Sequence, residues 1–84
     1  MFEVLIEKAA EKDLRRLASA VRQRAEDAIL GLALNPRPAG AKKLSGSKAD
    51  WRIRVGDYRV LYEIADTIRV VRVFRVRHRG DVYR

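Results

Sequence analysis

The side chains that could do chemistry lie in the second half of the chain, and most of them are arginines. Arg52 and Arg54 precede a Gly-Asp pair at 56–57, and Arg59 follows it. Arginine offers two parallel donors to a phosphate group and keeps its charge at any physiological pH. Three arginines around one predicted turn therefore indicate a surface that binds phosphate groups.

The segment 78–84, with the sequence HRGDVYR, brings an imidazole, guanidinium groups and a phenol together. Cleavage of RNA without a metal needs a base for the 2′-hydroxyl, cations for the charged phosphorane and an acid for the 5′-oxygen. The arginines supply the cations. His78, Arg79 and Tyr83 are the candidates for acid and base, although the reference pKa values of a phenol and a guanidinium lie far from 7.

The charge of the chain favours a polyanionic partner. Nineteen Lys and Arg residues against eleven Asp and Glu residues give a net charge of +8 over 84 residues. Residues 42–84 hold twelve of the basic and five of the acidic residues, which is a net charge of +7. Such a basic half predicts binding to nucleic acid or to an acidic protein. A surface that is charged only for solubility is the alternative.

Composition excludes several classes of site. The chain has no cysteine and one histidine, which excludes disulfides, thiolate metal sites, a cysteine nucleophile and any multi-histidine metal site. We therefore expect neither a metal nor a cofactor. The longest apolar run, 28–34, is too short to span a membrane, and the first residues do not begin a signal peptide. We predict one soluble domain over residues 1–84, located in the cytoplasm.

Two changes of hydrophobic period predict the elements that position these groups. A short alternating strand at 2–7 is followed by a helical pattern from Lys8. A second helix, capped by Ser19, ends before the N-P-R-P sequence at 35–38. After a loop at 39–50, alternating or β-branched residues predict three strands, at 51–55, 58–64 and 68–76. The predicted class is α+β, in the order β-α-α-β-β-β, with a mostly antiparallel sheet packed on an N-terminal helical hairpin.

The register of the predicted hairpin separates an apolar face from a charged one. A two-residue turn at 56–57 places Arg54 opposite Arg59. Like charges directly opposite each other destabilise a sheet, and an anionic ligand would reverse that effect. A second two-residue turn at 66–67 would add Arg72 and Phe74 to the charged face, beside Leu61 and Arg59. The predicted core face comprises Trp51, Ile53, Val55, Tyr58, Val60 and Tyr62, and the opposite face comprises Arg52, Arg54, Arg59, Leu61 and Glu63.

Three sequence blocks, in this order, resemble the RelE/ParE superfamily of type II toxins. They are K-L-x-G at 43–46, G-x-Y-R followed by two apolar residues and Tyr at 56–62, and H-R-x-D-V-Y-R at 78–84. The resemblance covers nearly the whole chain and is greatest to the RelE-type messenger RNA interferases. It implies a RelE-like domain that enters the ribosomal decoding site and cuts messenger RNA there, by attack of the 2′-hydroxyl and without a metal.

The same resemblance implies roles and partners. Basic residues would stabilise the phosphorane, and the terminal tyrosine would stack on or orient the nucleotide. The partners would be the ribosome with its messenger RNA and a cognate antitoxin that carries an acidic, helical arm, in a toxin–antitoxin hetero-oligomer. The residues so assigned as catalytic are Arg52, Arg54, Arg59, Arg79 and Tyr83, and Lys43, Arg72, Phe74 and His78 are predicted as further contacts to RNA.

Two alternatives stay open. A ParE-like protein of the same fold would poison DNA gyrase by binding, without catalysis. An inactive relative would keep the basic sheet and bind RNA without turnover. The combination of basic residues with the terminal tyrosine favours the nuclease, because ParE-like relatives generally lack the full set.

Overall fold

The computed structural model describes residues 1–46 and 49–82. Its strands form a five-stranded sheet in the order β1-β5-β4-β3-β2, in which β1 is parallel to β5 and the other pairs are antiparallel. This confirms the predicted α+β class and adds a short strand, β2, and a short helix, α3. The elements are β1 (Glu3–Ile6), α1 (Lys8–Arg15), α2 (Ser19–Gly31), β2 (Lys42–Lys43), β3 (Asp50–Val55), β4 (Tyr58–Ala65), β5 (Val70–His78) and α3 (Arg79–Val82).

The helices bury the apolar residues that their periodicity predicts. Ala10 and Leu14 of α1 are buried, as are Ala25 and Ile29 of α2. These side chains form one core cluster with the sheet residues of the predicted core face. No helix within the described ranges is both long and apolar enough to cross a membrane.

The predicted cap of the second helix is wrong. Ala18 is the N-cap residue and makes no side-chain cap hydrogen bond, and Ser19 is the first helical residue. The Arg22 N–H donates to the Ala18 carbonyl at 2.9 Å. Because the first helical bond already uses Ala18, the Ser19 hydroxyl lies one position too late to act as the cap.

The hairpin formed by β3 and β4 confirms the predicted register. Arg54 pairs with Arg59 and Ile53 with Val60 across the Gly56 turn. Gly56 has a φ of +59°, a conformation that a two-residue hairpin turn requires and glycine adopts without strain. The faces of these two strands are therefore those that the sequence predicts, with Ile53 and Val60 buried in the core.

The predicted second turn is wrong, because four residues rather than two connect β4 to β5. Ala65 pairs with Val70, and the connecting residues 66–69 are closed by a hydrogen bond from the Arg69 N–H to the Asp66 carbonyl at 3.3 Å. Arg69 has a φ of +56°, and its guanidinium lies over the Phe2 ring, 4.9 Å from the ring centroid. This contact holds the longer turn against the start of the chain.

A register shift between Leu61 and Tyr62 further changes the pairing of β5. Tyr62 pairs with Val73 and Leu61 with Arg75, so that Phe74 is the extra residue of a β-bulge. The longer turn and the bulge together move the carboxyl-terminal half of β5 relative to β4. Arg77 therefore lies opposite Arg59, where the predicted two-residue turn would place Phe74.

Candidate phosphate-binding site

Three arginines lie side by side across the middle of the sheet. Arg59 of β4 pairs with Arg54 of β3 on one side and with Arg77 of β5 on the other. Directly opposed residues project from the same face, with Cβ atoms about 4.5–5.5 Å apart. We refer to Arg54, Arg59 and Arg77 as the arginine row.

Arg59, at the centre of the row, is buried, and no acidic side chain among the described residues pairs with it. Its residue is only 3% exposed, and no described residue provides a partner for its Nε atom. Within the described residues, its polar contact is a long hydrogen bond of 3.5 Å from Nη1 to the Tyr58 carbonyl oxygen. A buried charge is costly unless it is paired and hydrogen-bonded. The row therefore has both the charge and the unused donors to hold an anion.

A second row adds positive charge on the β3 side of the site. Lys42 pairs with Arg52, which in turn pairs with Leu61. Lys42, Arg52 and Arg54 line one cavity of about 210 Å³ together with Gly40. The structure thus brings the predicted residues Arg52, Arg54 and Arg59 together on one face, and it places Lys42 beside them.

Lys43, the lysine predicted from sequence, does not share this face. It pairs with Trp51, whose side chain packs against the core cluster. Because successive side chains of a strand point to opposite faces, Lys42 shares the face of Arg52 and Lys43 the face of Trp51. The structure therefore places Lys42, and not the predicted Lys43, on the face of Arg52.

Arg72 and Phe74 also lie away from the positions predicted for them. Arg72 pairs with Glu63, four residues along β4 from Arg59, and its Nη2 contacts the Glu63 carboxylate at 2.7 Å. Its Nε lies 3.7 Å from a carboxylate oxygen of Glu7. Phe74 occupies the bulge. The structure therefore gives Arg72 acidic partners within the chain and brings neither residue beside Arg59.

The carboxyl-terminal segment begins at the end of β5, close to the β3–β4 turn. The Arg79 N–H donates to the Asp57 carbonyl at 2.8 Å, which holds the start of α3 against the β3–β4 turn. His78 pairs with Tyr58, and their rings form an edge-to-face contact with centroids 5.4 Å apart. His78 therefore alternates with Arg77 and does not join the arginine row. Tyr83 lies outside the described residues.

The sequence analysis missed Arg77 and Lys42. Arg77 follows from the register of β5, which depends on the four-residue turn and the bulge. Lys42 follows from the parity of β2, a two-residue strand inside a predicted loop. The sequence does contain one signal, the alternation of arginines at 75, 77 and 79. Because alternate residues of a strand point to the same face, a strand that contains two of these arginines places both on one face.

The other end of β4 contains several polar side chains that are hydrogen-bonded to each other or to the backbone. The Tyr62 hydroxyl donates to the Pro36 carbonyl at 2.7 Å, and burial raises the pKa of this phenol from 10.0 to about 12 against the opposing influence of the Arg37 charge. Arg37 donates to both carboxylate oxygens of Asp66, at 3.2 and 2.8 Å. These hydrogen bonds lower the pKa of Asp66 and raise that of Arg37. Arg37 also lies 5.1 Å from the centroid of the Trp51 ring.

The residues present do not suggest a metal centre. Within residues 1–46 and 49–82, no three His, Cys, Asp or Glu side chains lie close enough together to hold a metal ion. The groups that converge on the candidate site are guanidinium and ammonium groups, which bind anions rather than cations.

Known proteins of similar sequence and structure are toxins. Toxin RelE3 of Methanocaldococcus jannaschii is 36% identical over 87 residues, covering 96% of this chain and 94% of the relative. RelE in the crystal structure of the archaeal RelE–RelB complex from Pyrococcus horikoshii has a TM-score of 0.84 and 30% identity, covering 94% of this chain and 96% of that one. The isolated RelE toxin of E. coli has a TM-score of 0.81 and 28% identity, covering 99% and 92%.

The family model agrees with these relatives. The model of the ParE toxin of the type II toxin-antitoxin system parDE matches residues 4–83. This range includes both strands of the predicted hairpin and all three members of the arginine row. The match, the relatives and the shared fold lead to the same assignment: the chain belongs to the RelE/ParE superfamily of type II toxin-antitoxin toxins.

Proposed function

We propose that this toxin is an endoribonuclease that cuts messenger RNA on the ribosome and thereby inhibits translation. The observation that carries the proposal is Arg59, which is 3% exposed, has no described counter-charge and lies in register between Arg54 and Arg77. A fold selected only for stability would replace such a group, because an apolar side chain of similar size is often at least as stable. A phosphate bound at the row would supply the missing negative charge.

The arginine row is better suited to stabilising the transition state of RNA cleavage than to binding the uncleaved RNA. In the proposed reaction the 2′-hydroxyl oxygen attacks phosphorus, the bond from phosphorus to the 5′-oxygen breaks, and a 2′,3′-cyclic phosphate and a 5′-hydroxyl result. The 2′-hydroxyl proton leaves to a base, and the 5′-oxygen gains a proton. Negative charge accumulates on the non-bridging oxygens during attack, and donors fixed in advance at that position lower the barrier.

Each catalytic residue proposed from sequence has a role in this scheme. Arg59 would hold the non-bridging oxygens, flanked by Arg54 and by Arg77, which the register adds to the set. Arg52 would bind the neighbouring backbone together with Lys42. Arg79 lies beside the β3–β4 turn, where it would contact the nucleotide on the leaving-group side. Tyr83 would stack on or orient the nucleotide, and His78 would contact the RNA beside the row.

Dependence on the ribosome follows from what the described site offers. The row consists of guanidinium groups, which stabilise charge but transfer protons poorly near pH 7. Precise positioning of the attacking hydroxyl by another molecule can supply a large part of the rate in such a case. The ribosome holds messenger RNA in a fixed conformation, so we propose that the toxin acts there, in the cytoplasm, and without a metal.

We also propose that a cognate antitoxin covers the arginine row. The P. horikoshii relative was crystallised as a RelE–RelB complex. This chain carries a net charge of +8, and an acidic, helical arm across the row would satisfy Arg59 in the absence of RNA. Binding of that arm would stabilise the small domain and block the site at once.

The match to the ParE family model supports a second candidate, a non-catalytic inhibitor of DNA gyrase. This candidate needs a binding surface but no group aimed at a scissile phosphate. The arginine row favours the nuclease, because three guanidinium groups in register supply the positive charge that a phosphorane needs and that a binding surface for gyrase does not require.

The test is primer extension on a defined message in a purified translation system. Wild-type toxin is compared with Arg59→Ala and with the matched variant Arg72→Ala, an arginine on the same face whose charge Glu63 already neutralises. We expect cuts at ribosome-occupied codons with wild type and Arg72→Ala, and none with Arg59→Ala. Circular dichroism confirms that both variants are folded.

Three results would overturn the proposal. Full cleavage by folded Arg59→Ala would remove the site assignment. Growth arrest with gyrase-linked DNA breaks and no cut message would establish the ParE-like function, and a non-toxic wild-type protein that still binds RNA would establish an inactive relative.

A further inference from the structure

A second basic cavity lies at the open edge of β5, beside the end of α1. Strand β1 pairs with residues 70–73 of β5, so the outer edge of the remaining residues has no strand beside it. The cavity has a volume of about 250 Å³. Its lining includes Arg16 from the end of α1, Tyr58 from β4 and Arg77 with His78 from β5.

The one carboxylate in this cavity is already neutralised. Asp13 accepts hydrogen bonds from Arg75 Nε at 2.9 Å, from Arg75 Nη2 at 3.2 Å and from the Val76 N–H at 2.9 Å. The pair with Arg75 leaves two further guanidinium groups, those of Arg16 and Arg77. Within the described ranges neither of them forms an ion pair. The cavity therefore carries a net positive charge before His78 is counted.

His78 is part of the lining of this cavity, and two contacts fix its ring. Its Nδ1 accepts a hydrogen bond from the Gly80 N–H at 3.3 Å, so the neutral ring carries its proton on Nε2. The edge-to-face contact with Tyr58 fixes the ring plane. Nε2–H is thus a donor held in place at a basic cavity.

We propose that this cavity, lined by Arg16, Arg77 and His78, binds a second phosphate group of the RNA, next to the one held by the arginine row. Arg77 links the two sites, because it pairs with Arg59 in the row and also lines the cavity. A nucleic-acid backbone crossing the edge of β5 at Arg77 would place successive phosphates in the two sites. This inference rests on the proposed function for the identity of the ligand.

The test measures binding and does not depend on cleavage. Two RNA oligonucleotides are used, both with a 2′-O-methyl group at the cleavage position so that no attack can occur, and one with an additional terminal phosphate. Arg16→Ala is compared with Arg15→Ala, which removes an adjacent exposed arginine that does not line the cavity. Affinity is measured by fluorescence anisotropy at several salt concentrations.

We expect the additional phosphate to raise the affinity of wild type and Arg15→Ala about three- to tenfold, the gain that one hydrogen bond of average net strength gives. Arg16→Ala should lose that gain, and the two changes should therefore be non-additive. The slope of log affinity against log salt should fall by about 0.7 in Arg16→Ala, the value for one phosphate of a single strand. Because His78 lines the cavity and is the one histidine of the chain, its ring resonances in NMR are assigned directly and should shift with the additional phosphate.

Equal affinities of Arg16→Ala and Arg15→Ala for the oligonucleotide with the additional terminal phosphate would overturn the inference. So would His78 resonances that move with an acidic antitoxin peptide but not with the oligonucleotide, since the cavity would then bind protein. A toxin that cuts messages but shows no effect of Arg16→Ala would refute this inference alone. A toxin that binds the additional phosphate through Arg16 without cutting any message would refute the proposed cleavage and retain the second site.

Discussion

The two ends of β4 differ in whether their charged side chains have partners of opposite charge, although both ends belong to one strand of one sheet. At the end near the β4–β5 turn, Glu63 contacts Arg72 at 2.7 Å and Asp66 contacts Arg37 at 2.8 Å. At the other end, the central Arg59 of the arginine row lies between two further arginines and lacks a described counter-charge. We call these the paired end and the unpaired end.

The difference shows that an arginine-rich composition alone does not explain the lack of ion pairs at the unpaired end. The paired end places carboxylates opposite arginines with good geometry, and the same arrangement at residue 59 would need a single acidic substitution at 54 or 77. Like charges in register weaken a sheet by some tenths of a kcal/mol, and burying one of them costs more. Among the described residues this cost falls on Arg59, where an anionic ligand would remove it.

The largest effect is expected from Arg59→Met, which keeps the length of the side chain and removes its charge. We expect cleavage to fall about 100- to 1,000-fold, the loss typical of removing one donor to a developing oxyanion. Stability should stay the same or increase, because a buried unpaired charge is replaced by an apolar group. Single-turnover cleavage on ribosomes and urea unfolding measure the two quantities.

The matched substitution at the paired end is Arg72→Met. It should leave cleavage unchanged and lower stability slightly, because Glu63 and Glu7 lose their partner. A stability loss in Arg59→Met greater than that in Arg72→Met would mean that Arg59 is paired in solution, and the contrast between the two ends would disappear.

Tyr62→Phe tests the paired end in the core. The variant removes a hydrogen bond of 2.7 Å from a buried hydroxyl and leaves the Pro36 carbonyl without its donor. We expect a loss of about 1–2 kcal/mol in the free energy of unfolding near pH 7, with no change in cleavage by the folded fraction. A stability equal to wild type would show that water replaces the lost donor.

The stabilities of wild type and Tyr62→Phe should become more similar at alkaline pH. The folded-state pKa of Tyr62 is raised to about 12 from 10.0, so its neutral form is favoured by folding. That contribution is complete below pH 10 and is lost as the pH rises towards 12, because the unfolded phenol ionises first. The stability advantage of wild type over Tyr62→Phe should therefore shrink between pH 10 and 12, and an advantage that grows in this range would contradict the assigned burial.

The contrast between the ends explains which parts of the site the sequence could predict. Arg54 opposite Arg59 was predictable, because a two-residue turn at Gly56 fixes the register of its two strands locally. Arg77 opposite Arg59 was not. Its position depends on the positive φ of Arg69 and on a bulge at Phe74, neither of which interrupts the alternation of residue types that predicts a strand.

Burial and parity at the sheet edge were also beyond the sequence. Nothing in the segment around Arg59 indicates that its side chain is 3% exposed, since burial depends on residues that are distant in sequence. At β2 a single residue of register decides whether Lys42 or Lys43 faces the site, and a two-residue strand has too few side chains to show a pattern. The fold was more predictable because helix stripes and strand alternation each average over many residues.

Charge reversal at matched positions sharpens the comparison further. Arg77→Glu introduces a carboxylate beside Arg59, so stability should increase by about 1 kcal/mol while cleavage is lost. Arg72→Glu places a third carboxylate beside Glu63 and Glu7, so stability should fall by a similar amount with cleavage retained. Thermal unfolding and primer extension on both variants give four readings. A stability decrease in both would show that the two ends do not differ in pairing.

The smallest effect is expected from Asp66→Asn at the exposed rim of the paired end. The hydrogen bonds from Arg37 lower the pKa of Asp66 below its ordinary value of 3.8, so the ionised carboxylate is favoured by folding. Wild type should therefore be slightly more stable than Asp66→Asn at neutral pH, and the difference should disappear as the pH falls below about 4 and the carboxylate is protonated. Urea unfolding of both proteins between pH 3 and 7 measures it. Since both partners are exposed, added salt should reduce the neutral-pH difference. A difference that persists at pH 3 would mean that Asp66 stabilises the turn through its shape rather than its charge, and that pairing at this end of β4 is limited to Glu63 and Arg72.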